Sequence, residues 1–220
     1  MISAVVFDFD GVIADSEVLH LRAYQQVLAP LGVDLSRETY FDRYLGFDDP
    51  GVFKGIAADH ALPLGASDVA TLIGRKAEIF KQLEAGADML FPGAERCVRS
   101  LAAEFPLGIA SGAMRHEIEH VLEQSALREC FRFIVASGDT PSNKPAPDPY
   151  LRAAALHARA PKECVAIEDS RWGMESARRA GLACIGVTHT YPRDQLGDPD
   201  VVIDSLDELT PGLIRSLQPV

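Results

Sequence analysis

Asp8 and Asp10 lie two residues apart at the end of the apolar run that begins at Ala4, and Gly11 follows them. In an extended chain that spacing sends both carboxylates to one face and Phe7 and Phe9 to the other. Two carboxylates at the end of a buried strand repel each other unless a cation or a shared proton lies between them. This is the arrangement of a magnesium site with a nucleophile in it. Taken alone, Asp-Phe-Asp-Gly is equally an acidic turn, because Asp and Gly are common turn residues.

Three further stretches carry chemically capable side chains at comparable places. Ser111 and Gly112 follow the short apolar run from Leu107 to Ala110. A hydroxyl and open backbone N–H groups at a helix start can cradle phosphate oxygens, and a plain helix N-cap has the same pattern. Lys144 sits in Asn-Lys-Pro-Ala-Pro, a proline-stiffened loop, as a fixed positive charge or an exposed loop lysine. Glu168 and Asp169 come directly after the run from Cys164 to Ile167. They read as metal ligands or as an acidic helix start that suits the macrodipole.

The elements that would position these residues alternate. The pattern predicts helices over 94–104 and 114–125, one opened by Asp148 as N-cap with Pro149 in its first turn, and one closing at Gly181. Strands are expected over 107–110, 133–136, 165–167, 183–187 and 201–203. With residues 4–7 as a strand buried on both faces, the fold class is α/β, a Rossmann-like parallel sheet wrapped by helices. Ligands of such sheets bind beyond the carboxyl ends of the strands, where all four stretches fall.

Residues 16–86 read differently. Helical spacing covers 17–28, with Leu21, Tyr24 and Leu28 on one face, then 37–44, about 52–60 and 67–84, with a loop over 46–51. An all-helical block between the first strand and the later ones is an insertion. The expected division is therefore residues 1–15 and 87–220 as an α/β core, with 16–86 as an inserted helical domain.

A formal net charge of −11 argues against nucleic acid or an anionic membrane as partner, so a phosphate ligand must be attracted locally. No basic region precedes the first apolar run, which Asp8 and Asp10 interrupt, so it does not read as a signal peptide. No apolar stretch approaches the roughly 20 residues that span a bilayer. Cys97, Cys130, Cys164 and Cys184 are widely spaced, without Cys-x-x-Cys, which predicts buried free thiols in a reducing cytoplasm.

Asp-x-Asp, Ser, Lys and Glu-Asp occur in this order, each in a sensible place relative to its own strand or helix. The set resembles the four motifs of the haloacid dehalogenase superfamily of phosphohydrolases. Phe-Asp-Phe-Asp-Gly-Val-Ile-Ala-Asp-Ser-Glu from Phe7, Asn-Lys-Pro-Ala-Pro-Asp-Pro-Tyr from Asn143 and Ile-Glu-Asp-Ser from Ile167 resemble its β-phosphoglucomutase and phosphoglycolate phosphatase-like branch. The resemblance covers nearly the whole chain. It implies that Asp8 attacks phosphorus and forms an aspartyl phosphate, while Asp10 protonates the leaving oxygen and then activates water. It also implies that Mg²⁺ is held by Asp8, the Asp10 carbonyl, Asp169 and Glu168, the last directly or through water. Ser111, the Gly112 amide and Lys144 would hold the remaining oxygens. Dehalogenases lack the second aspartate, so Asp10 favours phosphoryl transfer.

In this branch the helical insertion is a cap that closes over the core, with hinges here near Ser16 and over 86–90. His20 resembles the histidine that mutases use to govern the acid, and Lys76 resembles a cap lysine that contacts substrate; a solvent-facing polar residue and a surface lysine are the alternatives. Mutases carry an arginine in the loop after the second cap helix, where this chain has Asp48 and Asp49; Arg43 or Lys54 could substitute. The expectation is a monomeric Mg²⁺-dependent phosphatase for a small phosphorylated metabolite, a sugar phosphate. A hexose-phosphate mutase and a non-catalytic phospho-ligand-binding module are the alternatives.

Overall fold

The computed structural model describes residues 1–45, 47–84 and 89–217. The chain divides into two compact units, Met1–Asp15 with Leu90–Val220, and Ser16–Met89. The expected boundary between residues 86 and 87, like most of the expected return hinge over 86–90, lies outside the described residues.

β1 (Ala4–Phe7) opens the chain, and the helical unit follows with α1 (Glu17–Leu28), α2 (Arg37–Arg43), α3 (Asp49–Asp59) and α4 (Ala66–Glu84). The chain then runs through α5 (Ala94–Ala102), β2 (Leu107–Ala110), α6 (Arg115–Gln124), β3 (Phe131–Val135) and α7 (Asp148–Leu156). It ends with β4 (Cys164–Glu168), α8 (Arg171–Ala180), β5 (Ala183–Val187), β6 (Val201–Ile203) and α9 (Pro211–Ser216). The strands form one six-stranded sheet in the order β3-β2-β1-β4-β5-β6, parallel throughout.

β1 therefore lies inside the sheet, and its four residues are wholly buried. Burying each large apolar side chain there contributes about 2 kcal/mol, and this burial anchors the start of the acidic stretch. The outer strands are less buried: β3 exposes Arg132, and Val201 and Val202 of β6 are half-buried. That exposure explains why β3 begins at Phe131, two residues before the apolar run predicts.

Helix ends follow local chemistry. The Ser170 hydroxyl accepts the Gly173 N–H at 3.1 Å to start α8, which Gly181 ends at φ 84°. Where a loop is expected through residue 51, α3 begins at Asp49, because the Asp48 carboxylate accepts the Gly51 N–H at 3.0 Å and Pro50 has no N–H to lose. Helix α7 has Pro147 at its cap position, so Asp148 is its first residue rather than its cap.

Within the helical unit, α1 and α3 both pack on α4. Tyr24, Leu28, Phe53, Ile56, Leu72 and Phe80 are buried there. No helix among the described residues is long and apolar enough to cross a membrane. All four cysteines are free, but Cys130 is half-buried rather than buried, since it lies in a 3-10 turn before the edge strand.

Candidate active site

The sheet register brings the acidic stretches together. Phe7 pairs with Ile167 of β4 and with Ile109 of β2. The Asp8 N–H donates to the Ile167 carbonyl at 2.9 Å, so Asp8, just past β1, and Glu168, the last residue of β4, lie side by side at one edge. One oxygen from each of Asp8, Glu168 and Asp169 lies within 4.8 Å of the others, and all three residues are buried.

Lys144 joins this cluster and is not an exposed loop lysine: it is only 5% exposed. Its Nζ lies 2.8 Å from Asp8 Oδ2 and 2.7 Å from Glu168 Oε1. Helix α8 secures its loop, with the Ser176 hydroxyl donating to the Ala146 carbonyl at 2.5 Å and Arg179 to that of Pro145 at 3.0 Å. Asp8 Oδ1 accepts the Phe9 N–H at 2.7 Å.

Electrostatics in the cluster are tense. Burial first, and then the Glu168 charge, push the Asp8 carboxyl far above the ordinary range, against the pull of Lys144; the Asp10 charge raises it further. Burial also opposes the Lys144 ammonium, but Asp8 and Glu168 outweigh it and hold its pKa above the usual lysine value. Asp10 itself is half-buried, just past the strand, with a backbone bridge to Ala14.

Gly11 is required by space as well as by its φ of +74°. A Cβ there would come within 1.9 Å of Asp169 Oδ2. Ser111 is buried at the end of β2, where its hydroxyl oxygen accepts the Ala113 N–H at 3.1 Å. It is not a helix N-cap, because α6 starts at Arg115 with Met114 in that position. Gly112 beside it is half-buried.

The residues expected to act from the helical unit fall into two groups. His20 is buried and stacks on Phe80 with centroids 4.2 Å apart. Lys76 is only 1% exposed, so it is not a surface lysine, and its Nζ lies 5.1 Å from the Phe80 ring centre and 3.1 Å from Asp49 Oδ1. Tyr24 donates to the same oxygen at 2.5 Å, while Asp49 Oδ2 is buried without a hydrogen-bond partner. Arg43 stands apart from this group, exposed and bonded to Asp59 at 2.8 Å. Lys54 is exposed.

A family model described as haloacid dehalogenase-like hydrolase matches residues 5–187. The chain belongs to this family. As a haloacid dehalogenase-like hydrolase it is 35% identical to hexitol phosphatase B of Escherichia coli over 95% of both chains. It is 28% identical to β-phosphoglucomutase of Bacillus subtilis, over 96% of this chain and 93% of that one. The crystal structure of CbbY from Rhodobacter sphaeroides with xylulose-1,5-bisphosphate superposes with a TM-score of 0.84 at 28% identity, covering 95% of this chain and 96% of that one.

In this haloacid dehalogenase-like hydrolase the acidic cluster fits a small divalent cation. Its donors are all hard carboxylate oxygens, and a cation would offset the burial and the Glu168 charge that together raise Asp8. The roles of two neighbours escape notice in the sequence. Tyr150, the last residue of the Asn-Lys-Pro-Ala-Pro-Asp-Pro-Tyr stretch, donates its hydroxyl to Glu168 Oε1 at 2.6 Å; the sequence itself shows only a polar-tipped ring there, at the start of an Ala- and Leu-rich helix. His189 Nδ1 lies 3.1 Å from the Gly11 carbonyl, with its ring stacked on Phe91, and no motif marks it.

Proposed function

We propose that the protein is a Mg²⁺-dependent phosphatase that hydrolyses a small sugar phosphate bearing a single phosphate through an aspartyl phosphate on Asp8. The observation that carries this reading is the buried Asp8 carboxylate at the carboxyl edge of the sheet, 2.8 Å from Lys144 and clustered with Glu168 and Asp169.

Asp8 attacks phosphorus in line with the leaving sugar oxygen. Asp10 gives that oxygen its proton, then takes one from the water that cleaves the acyl phosphate; a carboxyl can do both because the second half-reaction reverses the proton flow. Lys144, the Ser111 hydroxyl and the Gly112 N–H hold the remaining phosphate oxygens. Asp8, the Asp10 carbonyl and Asp169 would hold Mg²⁺, with Glu168 alongside. When bound, the ion neutralises charge on the transferring group and on the carboxylates around it.

A single phosphate is supported by the helical unit. The family resemblance gives Lys76 a contact with substrate, and here Asp49 already offsets that ammonium at 3.1 Å. Arg43 is likewise engaged by Asp59. The likeness to hexitol phosphatase B agrees with this choice over a mutase. Four free thiols accord with a reducing cytoplasm.

The test is phosphate release from a panel of hexose, hexitol and pentose phosphates and phosphoglycolate, with and without Mg²⁺, by wild type and Asp8→Asn. Metal-dependent release that disappears in the variant is expected. Release surviving the substitution removes Asp8 as nucleophile, and bisphosphate-dependent isomerisation without release replaces the phosphatase by a mutase.

A further inference from the structure

Glu168 is wholly buried, yet its carboxylate is not idle. Oε1 accepts from Lys144 at 2.7 Å and from the Tyr150 hydroxyl at 2.6 Å, and Oε2 accepts from the Ser170 hydroxyl at 3.2 Å. Gly173 makes room for this arrangement, since a Cβ there would fall 1.9 Å from Oε1. Lys144 is shared in turn, with Asp8 Oδ2 at 2.8 Å on its other side. The Tyr150 ring also faces the ammonium, whose Nζ lies 5.3 Å from its centroid.

A buried ion pair tightens when competing donors are removed. With Tyr150 on Oε1, the Glu168 charge is divided between two donors. Without it, Lys144 would be the sole strong donor to that oxygen and would be drawn away from Asp8.

We propose that Tyr150 is a positioning residue for phosphate binding, holding Lys144 between Glu168 and the nucleophile Asp8 by sharing Glu168 Oε1. This rests on the phosphatase reading for its meaning but concerns the affinity of the site for phosphate. Tyr150 does not touch substrate; it acts through Glu168 on Lys144.

The experiment uses Tyr150→Phe, which removes one oxygen and keeps the ring. Calorimetric titration with inorganic phosphate in the presence of Mg²⁺ should show affinity weakened about tenfold, as loss of one charge-assisted hydrogen bond in a buried network predicts. The inhibition constant for phosphate and KM should rise in step, with kcat and the Mg²⁺ half-saturation concentration within about twofold of wild type. In a Lys144→Ala background, provided circular dichroism shows a folded protein, Tyr150→Phe should have no further effect.

Unchanged phosphate affinity in Tyr150→Phe overturns the proposal, and so does a shift in Mg²⁺ half-saturation in place of the phosphate effect. An unfolded Lys144→Ala leaves the decision to those two titrations. If wild type binds phosphate but hydrolyses nothing, and Tyr150→Phe weakens that binding, the phosphatase reading falls and the role of Tyr150 stands. A wild type that neither binds nor releases phosphate overturns both.

Discussion

Lys144 Nζ stands 2.8 Å from Asp8 Oδ2 with both side chains buried, so the proposed nucleophile and the proposed phosphate-holding cation are fixed against each other before substrate arrives. Removing the cation leaves Asp8 and Glu168 facing each other without compensation. Lys144→Ala is expected to lower kcat/KM by about a thousandfold, within the range for losing one preorganised electrostatic group. Lys144→Arg should recover only part, because a planar fork cannot replace a point charge between two carboxylates. Steady-state kinetics on the best panel substrate checks both.

Metal and pH should act together on stability. The folded-state pKa of Asp8 is raised by burial and Glu168 from 3.8 to about 8, so between those values the metal-free folded protein holds a proton that the unfolded chain has released. The stability this gives is full at low pH and is lost as pH rises toward 8. Mg²⁺ removes the need for that proton. The rise in Tm on adding Mg²⁺ should therefore be larger at pH 8 than at pH 5.5, by calorimetry with matched EDTA controls.

Asp49 and Lys76 should behave as a coupled pair. Asp49→Asn removes a counter-charge from a buried ammonium, which costs about 3 kcal/mol of unfolding free energy. Restoring neutrality with Asp49→Leu and Lys76→Met together should regain most of it, measured by urea denaturation.

His157 predicts an acid limit. Burial pushes its imidazole from 6.5 down to about 4, with a backbone contact to Val5 opposing and Arg132 and Arg159 assisting. The ring lies edge-on to Phe133, with centroids 4.6 Å apart. The unfolded chain binds a proton in that window and the folded chain does not, so stability is full above 6.5 and falls as pH drops toward 4. His157→Phe should flatten this slope by about 2 kcal/mol across the window, read from urea midpoints at pH 4.5 and 7.

Much of the core was legible before any coordinates. The continuous apolar residues of β1, β4 and β5 could form only strands buried on both faces, and alternation with helices forced a parallel sheet. Ser170 and Gly181 marked the ends of α8 because capping and a left-handed turn are local matters. Asp8, Glu168 and Asp169 announced themselves because polar residues directly after buried strands have little packing use, and Lys144 because prolines stiffen its loop.

Side-chain company was not legible. Asp49 looked like part of an acidic loop, but its own cap residue and Pro50 start α3 there, and folding then sets it against Lys76 on α4. Tyr150 reads as one more core aromatic until its hydroxyl reaches Glu168 from eighteen residues away. The amino-acid sequence by itself determined the strands, the insertion and the reactive residue types, since each follows from periodicity and composition within a few residues. Only tertiary structure decided which buried charge faces which. Charge pairing depends on distances between segments far apart in the chain, and the low dielectric of the interior makes those distances govern the protonation of Asp8 and Lys144.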